Sequence, residues 1–210
     1  MTRKVNAIIF DLGGVIMDID SKREADRFAE LGIKDYQSIF TPTNMNEFFQ
    51  RQEIGEILED NFYDGFRELT GSSLSDNDIE ETWDLILTDF KPERMEFLDE
   101  LSKKYPIYLF SNTNDIHTKR FMQMCLEQFG RPLLSYFTEV FYSQEVGMRK
   151  PNPEAFKKVL ELAGLDAETT IFVDDVEANI EGAKTAGLQT VHLVAPRTIL
   201  DLGLDPEKWD

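Results

Sequence analysis

Val5-Asn6-Ala7-Ile8-Ile9-Phe10 is an apolar, β-branched and aromatic run that stops at Asp11 and gives way to Leu12-Gly13-Gly14. A run this short, apolar at successive positions and bounded by Asp and Gly, predicts a buried strand. Four later runs have the same form: Pro106-Ile107-Tyr108-Leu109-Phe110, Glu139-Val140-Phe141-Tyr142, Thr170-Ile171-Phe172-Val173 and Thr190-Val191-His192-Leu193-Val194. Helical patterns over residues 94–104, 115–128, 153–164 and 177–186 separate them. Strands alternating with helices imply an α/β fold, a parallel sheet with helices on both faces.

Residues 20–90 break that alternation. They hold amphipathic segments of helical length near 22–31, 54–69 and 76–89, and no convincing buried strand. Thr41-Pro42-Thr43-Asn44 reads as a loop between helical stretches. The expected division is a core domain over 1–18 and 91–210, with a helical insertion over 19–90.

Composition narrows the partners. The 210 residues carry 40 acidic and 22 basic side chains, a formal net charge of −18. Such a surface repels nucleic acid and anionic lipid, so neither is expected as a partner. It also repels a phosphorylated substrate, so a phosphate site needs local positive charge. Cys125 stands alone, which rules out an internal disulfide and fits a reducing compartment. The apolar run before Asp11 is too short for a leader, and no segment approaches the roughly 20 apolar residues that span a bilayer. A cytoplasmic protein is expected, monomer or dimer.

Polar residues follow the predicted strands: Asp11 after the first, Ser111-Asn112 after the second, Asp174-Asp175 after the fourth. Lys150 falls in the loop after the third. Ligands of open parallel sheets bind at the carboxyl ends of the strands. Any one of these acids is more often a turn residue, but several at one sheet edge are a site. Converging carboxylates repel one another, and a hard divalent cation relieves this; Mg²⁺ takes a few carboxylates together with substrate phosphate. Lys150 adds a point charge, and the Ser111 hydroxyl can bind a phosphate oxygen.

These segments resemble the four motifs of the haloacid dehalogenase superfamily, in particular its phosphatase-like members with a helical cap after the first strand. They are Ile8-Ile9-Phe10-Asp11-Leu12-Gly13-Gly14-Val15, Leu109-Phe110-Ser111-Asn112-Thr113, Gly147-Met148-Arg149-Lys150-Pro151, and Phe172-Val173-Asp174-Asp175-Val176-Glu177-Ala178-Asn179 with Gly182-Ala183 behind it. The resemblance implies a Rossmann-like core and Mg²⁺-dependent hydrolysis of a small phosphorylated metabolite. It makes Asp11 the nucleophile that becomes an aspartyl phosphate. Ser111 would hold the transferring group with Asn112 beside it. Lys150 would neutralise charge. Arg149, outside what the resemblance assigns, reads either as a contact to the substrate phosphate or as a solvent-facing side chain. Asp11, the Gly13 carbonyl and Asp175 would ligate the metal, with Asp174 supporting them.

One position departs from the family. Its phosphatases carry a second Asp two residues after the nucleophile, which protonates the leaving group and then activates water. Here that position is Gly13. General acid–base help is typically worth about 10²–10⁴-fold. Three readings follow: a leaving group that needs little protonation, such as an anomeric sugar phosphate; substitution by Asp18 or Asp20; or a protein that binds without turnover. Bacterial members similar to an α-glucose-1-phosphate phosphatase share the Asp-Leu-Gly opening and the Asp18-Ile19-Asp20 segment, which favours the first two. A haloacid dehalogenase also lacks the second Asp and stands as the alternative enzyme. His117 and His192 lack metal-binding partners at useful spacing and read as structural, Asn114 as a helix cap, and Phe48-Phe49, Phe62 and Phe66 as the core of the insertion.

Overall fold

The computed structural model describes residues 4–41 and 44–209. Its strands are β1 (Ala7–Phe10), β2 (Met17–Ile19), β3 (Phe40–Thr41), β4 (Asn44–Met45), β5 (Leu87–Phe90), β6 (Ile107–Ser111), β7 (Glu139–Tyr142), β8 (Thr170–Asp174) and β9 (Gln189–His192). Five of them form one parallel sheet in the order β7-β6-β1-β8-β9. The chain winds outward from β1 to one edge, then crosses back to build the other half. The crevice of such a sheet opens where the winding reverses, at the carboxyl end of β1 and its neighbours.

The period of two in a strand explains why β1 is apolar throughout. Ile8 and Phe10 enter the hydrophobic cluster on one face, while Ala7 and Ile9 enter the cluster on the other. Neighbouring strands repeat this: Ile107 and Leu109 with Ile171 and Val173 on the first face, Tyr108 and Phe110 with Phe172 on the second. Helices Pro92–Ser102, Asp115–Phe129, Pro153–Ala163 and Glu177–Thr185 cover the faces, within a few residues of the predicted spans. Asn114 caps the second of them by accepting from the His117 N–H at 3.0 Å. Cys125 is buried on the first face.

The insertion differs from its expectation in three places. The helix predicted over 76–89 ends at Trp83, and Leu87–Phe90 becomes β5, antiparallel to β2. These two segments are where the chain leaves the core and returns to it. Running side by side, they satisfy each other's backbone groups, and Thr88 Oγ1 donates to the Asp18 carbonyl at 2.6 Å. Such a pairing is set by tertiary position, against weak local preference. The helix predicted over 54–69 starts only at Glu59 and runs to Thr70, after a turn through Gly55, while Glu47–Glu53 forms the helical stretch expected after the loop at 41–44. Third, Thr41 and Asn44 pair across a short hairpin where a loop was expected; Pro42 and Thr43 lie outside the described residues.

The insertion has its own aromatic core. Phe28, Tyr36, Phe40, Phe49, Phe62, Phe66 and Trp83 pack together, and Ile116 of the sheet-covering helix joins them. Inside this core lies an ionisable group, Glu24, with no exposed surface. The Tyr36 hydroxyl donates to Glu24 Oε1, while Oε2 has no partner among the described residues. Burial pushes the Glu24 carboxyl up to about 8, with the Tyr36 hydrogen bond acting the other way. A carboxyl whose folded-state pKa is raised favours the fold below its ordinary value and loses that contribution as pH rises through the folded value. Stability measured by urea denaturation is therefore expected to fall between about pH 5 and pH 8.5. Glu24→Gln, which stays neutral, is expected to flatten that decline.

Candidate active site

Sheet register brings the motif residues together. Phe10 pairs with Val173 on one side and with Leu109 on the other. Asp11, next along, therefore sits beside Asp174, with Ser111 just past it on the far side. The loop after β7 then carries Lys150 across the strand ends.

Lys150 is fully buried, and its Nζ lies 2.8 Å from Asp11 Oδ1 and 2.8 Å from Asp174 Oδ2. Its ammonium passes between the rings of Phe110 and Phe172, at 5.5 and 5.2 Å from their centroids. Asn112 holds its backbone from both sides: Nδ2 donates to the Lys150 carbonyl and Oδ1 accepts from the Lys150 N–H, each at 2.9 Å. Asn112 lines the cavity, as its expected place beside the substrate requires, and its side-chain amide also fixes Lys150. Behind this loop, Gly182 leaves room for it. A Cβ there would lie 2.1 Å from the Pro151 carbonyl oxygen.

Asp174 is also fully buried, and both of its oxygens are engaged. Asn179 Nδ2 donates to Oδ1 at 3.1 Å and to Oδ2 at 3.0 Å, and the Val176 N–H donates to Oδ1 at 2.8 Å. Asn179, the last residue of the fourth motif, thus anchors Asp174. Asp175 lies over Gly14, where a Cβ would meet its Oδ2 at 2.2 Å; Gly14 also has φ +75°, a conformation that suits glycine. His192 Nε2 lies 3.0 Å from the Asp175 carbonyl, a contact in which the ring N–H donates.

Asp11, Asp174 and Asp175 each offer an oxygen, all within 4.8 Å of one another. Three acids face one ammonium, and the titration follows. Burial pushes the Asp11 carboxyl up to about 7; Lys150 opposes this, and the charges of Asp174 and Asp175 add to it. Asp175 is raised as well, by burial and then by Asp174. Burial works against the Lys150 charge, yet Asp11 and Asp174 hold its pKa above the ordinary lysine value. A cluster of hard oxygen donors with surplus negative charge fits a small divalent cation.

Above these groups is a cavity of about 300 Å³, at the small end for ligand sites. Asp11, Gly13, Ser111, Asn112, Lys150 and Asp175 lie on its sheet side. Phe40, Phe49, Gln52, Glu53, Trp83 and Ile86 line it from the insertion, a contribution no motif announced. The Ser111 hydroxyl rests 3.4 Å from the Asn112 carbonyl. Arg149, expected on the substrate phosphate, does not line the cavity. It turns to the insertion and donates from Nε to Glu53 Oε2 at 2.6 Å. Gly55 fits against the core where a Cβ would meet the Gln144 carbonyl oxygen at 2.4 Å.

Neither proposed substitute for an acid at position 13 reaches the cavity. Asp18 pairs with Arg94 at 2.8 Å, and Asp20 caps helix Ser21–Glu30 through the Arg23 N–H. His117 lines the cavity but is bound at both ring nitrogens, Nε2 to the Trp83 carbonyl at 3.0 Å and Nδ1 to Asn114 Nδ2 at 3.1 Å. Burial lowers its pKa to about 4, so it is neutral at pH 7.

The sheet order and the lysine-anchored acidic cleft at its carboxyl edge define an α/β enzyme of the hydrolase type. The chain belongs to the haloacid dehalogenase-like hydrolases, whose family profile matches residues 5–187. It is 29% identical to a D-ribitol-5-phosphate phosphatase of Bacteroides thetaiotaomicron, over 89% of this chain and 90% of that one. It is 26% identical to a phosphoglycolate phosphatase of Aquifex aeolicus, over 89% and 83%. A wild-type haloacid dehalogenase family enzyme from Bacteroides thetaiotaomicron, solved with magnesium and inorganic phosphate, superposes with a TM-score of 0.86 at 34% identity, covering 95% of this chain and 99% of that one. An L-2-haloacid dehalogenase, at 20% identity and a TM-score of 0.61, shares the fold. Among the described residues no helix is long and apolar enough to cross a membrane.

Gly182→Ala tests how tightly the lysine is held. The added methyl has to displace the Pro151 carbonyl, so overpacking is expected to cost about 1–3 kcal/mol in urea denaturation. Activity per folded molecule is expected to fall with it, because Lys150 shifts.

Proposed function

We propose that this chain is a Mg²⁺-dependent phosphatase of small phosphate monoesters, with sugar or polyol phosphates as the substrate class. The observation that carries the reading is Lys150 held at 2.8 Å from both Asp11 and Asp174 beneath the cavity. Asp11, Asp175 and the Gly13 carbonyl are proposed to hold the metal, which would supply charge neutralisation to the incoming phosphate. Asp174, saturated by Lys150, Val176 and Asn179, keeps the lysine in place.

In this reading an Asp11 carboxylate oxygen attacks phosphorus, and the ester oxygen departs with the bonding pair. Splitting one displacement into two is the advantage of covalent catalysis. Lys150 offsets charge on Asp11 and on the phosphoryl oxygens, and the Ser111 hydroxyl binds one of them. Water then attacks the aspartyl phosphate, releasing phosphate and restoring Asp11. Residues 19–90 are proposed to act as a cap, held by the Glu53–Arg149 pair and by the Glu59 N–H donating to Asp115 Oδ2 at 3.0 Å. The names of the two phosphatase relatives and the magnesium–phosphate complex of the Bacteroides enzyme support the reading. The dehalogenase alternative, attack at carbon, gives the Asp175 carboxylate no cation to hold.

Phosphate release from a panel of phosphorylated metabolites is expected with Mg²⁺, to be lost with EDTA and in Asp11→Asn. Absence of release from every ester would remove the proposal.

Gly13 gives a sharper check. Its φ lies outside the left-handed region, and a Cβ there would meet only Ile19 Cγ2, at 3.3 Å. Ile19 is 38% exposed, so Gly13→Asp combined with Ile19→Ala is expected to fold. The double variant should speed hydrolysis of alkyl phosphates by up to about 10²-fold and that of p-nitrophenyl phosphate much less. Equal effects across a leaving-group series would show that protonation of the leaving group does not limit the wild-type enzyme.

A further inference from the structure

Two buried polar side chains on the insertion side of the cavity have atoms with no partner among the described residues. Gln52 is 1% exposed, and neither its Nε2 nor its Oε1 has a hydrogen bond among the described residues. Trp83 Nε1 is buried and unpaired as well. Both residues line the cavity above Asp11. Buried polar groups in native proteins are almost always satisfied, so an orphaned amide beside a cavity marks a place where a ligand completes it. The amide presents one donor group and one acceptor, and the indole one further donor. A hydroxyl is donor and acceptor at once, so neighbouring hydroxyls on a carbon chain match this set.

The charge on the same wall narrows the ligand further. Phe40, Phe49, Gln52, Glu53, Trp83 and Ile86 include no lysine or arginine. Glu53, the only charge among them, is neutralised by Arg149 from outside the cavity. An anionic leaving group would meet no cation there, whereas Lys150 on the opposite side faces the phosphate. Aromatic faces suit the C–H faces of a sugar or polyol.

We infer that Gln52 reads the hydroxyls of a neutral, polyhydroxylated leaving group, and that the cation-free wall around it rejects leaving groups bearing a carboxylate or a second phosphate. This rests on the phosphatase reading above and names the part of the molecule that selects among esters.

The test compares ribitol 5-phosphate with pentyl phosphate, the same carbon chain with and without hydroxyls, and with phosphoglycolate, whose leaving group is anionic. Wild type is expected to favour ribitol 5-phosphate over both in kcat/KM. Gln52→Leu, which replaces an unpaired amide by an apolar side chain of similar size, is expected to lower the ribitol-to-pentyl ratio by roughly tenfold or more. A thermal melt at or above that of wild type would show that the variant folds. An unchanged ratio, or a wild type that prefers phosphoglycolate, overturns the inference and leaves the phosphatase reading standing.

A binding arm keeps the two apart. Calorimetric titration of ribitol 5-phosphate with Mg²⁺ into Asp11→Asn, with and without Gln52→Leu, needs no turnover. Weaker binding in the double variant, with no hydrolysis of any ester by wild type, would sink the phosphatase and keep the contact of Gln52 with the hydroxyls. No binding to Asp11→Asn together with no hydrolysis would sink both.

Discussion

The Lys150 ammonium, with no exposed surface, sits 2.8 Å from two carboxylates that the sheet register has already made neighbours. Much of the surrounding structure serves that contact. Asn112 holds the lysine backbone, Asn179 and the Val176 N–H hold Asp174, and Gly182 leaves space for the loop that brings the lysine in. Removing one partner of a buried ion pair typically costs about 3–5 kcal/mol, because the other charge is stranded. The strand-end loops therefore cannot vary freely, although loops ordinarily do. One ammonium does not balance three acids; burial, and after it the charge of the neighbouring carboxylates, displaces Asp11 and Asp175 upward. That surplus lets the centre of an otherwise acidic protein fit a cation and, through it, an anion.

The insertion completes the centre from the other side. It has an aromatic core of its own, which Ile116 joins, while the antiparallel pairing of β2 with β5 ties its outgoing and returning segments to each other. The Glu53–Arg149 pair and the close approach of Gly55 to Gln144 seat it over the strand ends. Arg149 follows directly before Lys150, so one loop both delivers the central ammonium and holds the roof. The wall the insertion contributes to the cavity above the acids is largely apolar and aromatic, which lowers the local polarity and strengthens the charge interactions beside it.

Gly13 is the point where this chain separates from the pattern of its family. The structure removes two candidate replacements, since Asp18 serves Arg94 and Asp20 caps a helix. Both look available in sequence because an exposed Asp near a site has no signature distinguishing a cap or an ion pair from an acid in waiting. His117 is excluded for another reason, being hydrogen-bonded at both nitrogens and neutral at pH 7.

The sequence by itself determined the sheet and the sheet side of the site. Strands buried on both faces are apolar at every position, and a chain that alternates them with amphipathic helices has few ways to fold. Asp11, Ser111, Lys150, Asp174 and Asp175 each sit beside such a strand, so locating the strands located them. What only the tertiary structure decided lies in the insertion and in how side chains are used. Leu87–Phe90 carries no strand pattern of its own and becomes one because β2 lies beside it. Arg149 turns to Glu53 and the Asn112 amide to the Lys150 backbone because a charged or amide side chain takes the nearest complementary group, and these partners are distant in sequence. Gln52 carries no signal of its own in the sequence. Its isolation at the cavity wall exists only once residues far apart in the chain have closed around it, because burial is a property of the fold and not of the residue.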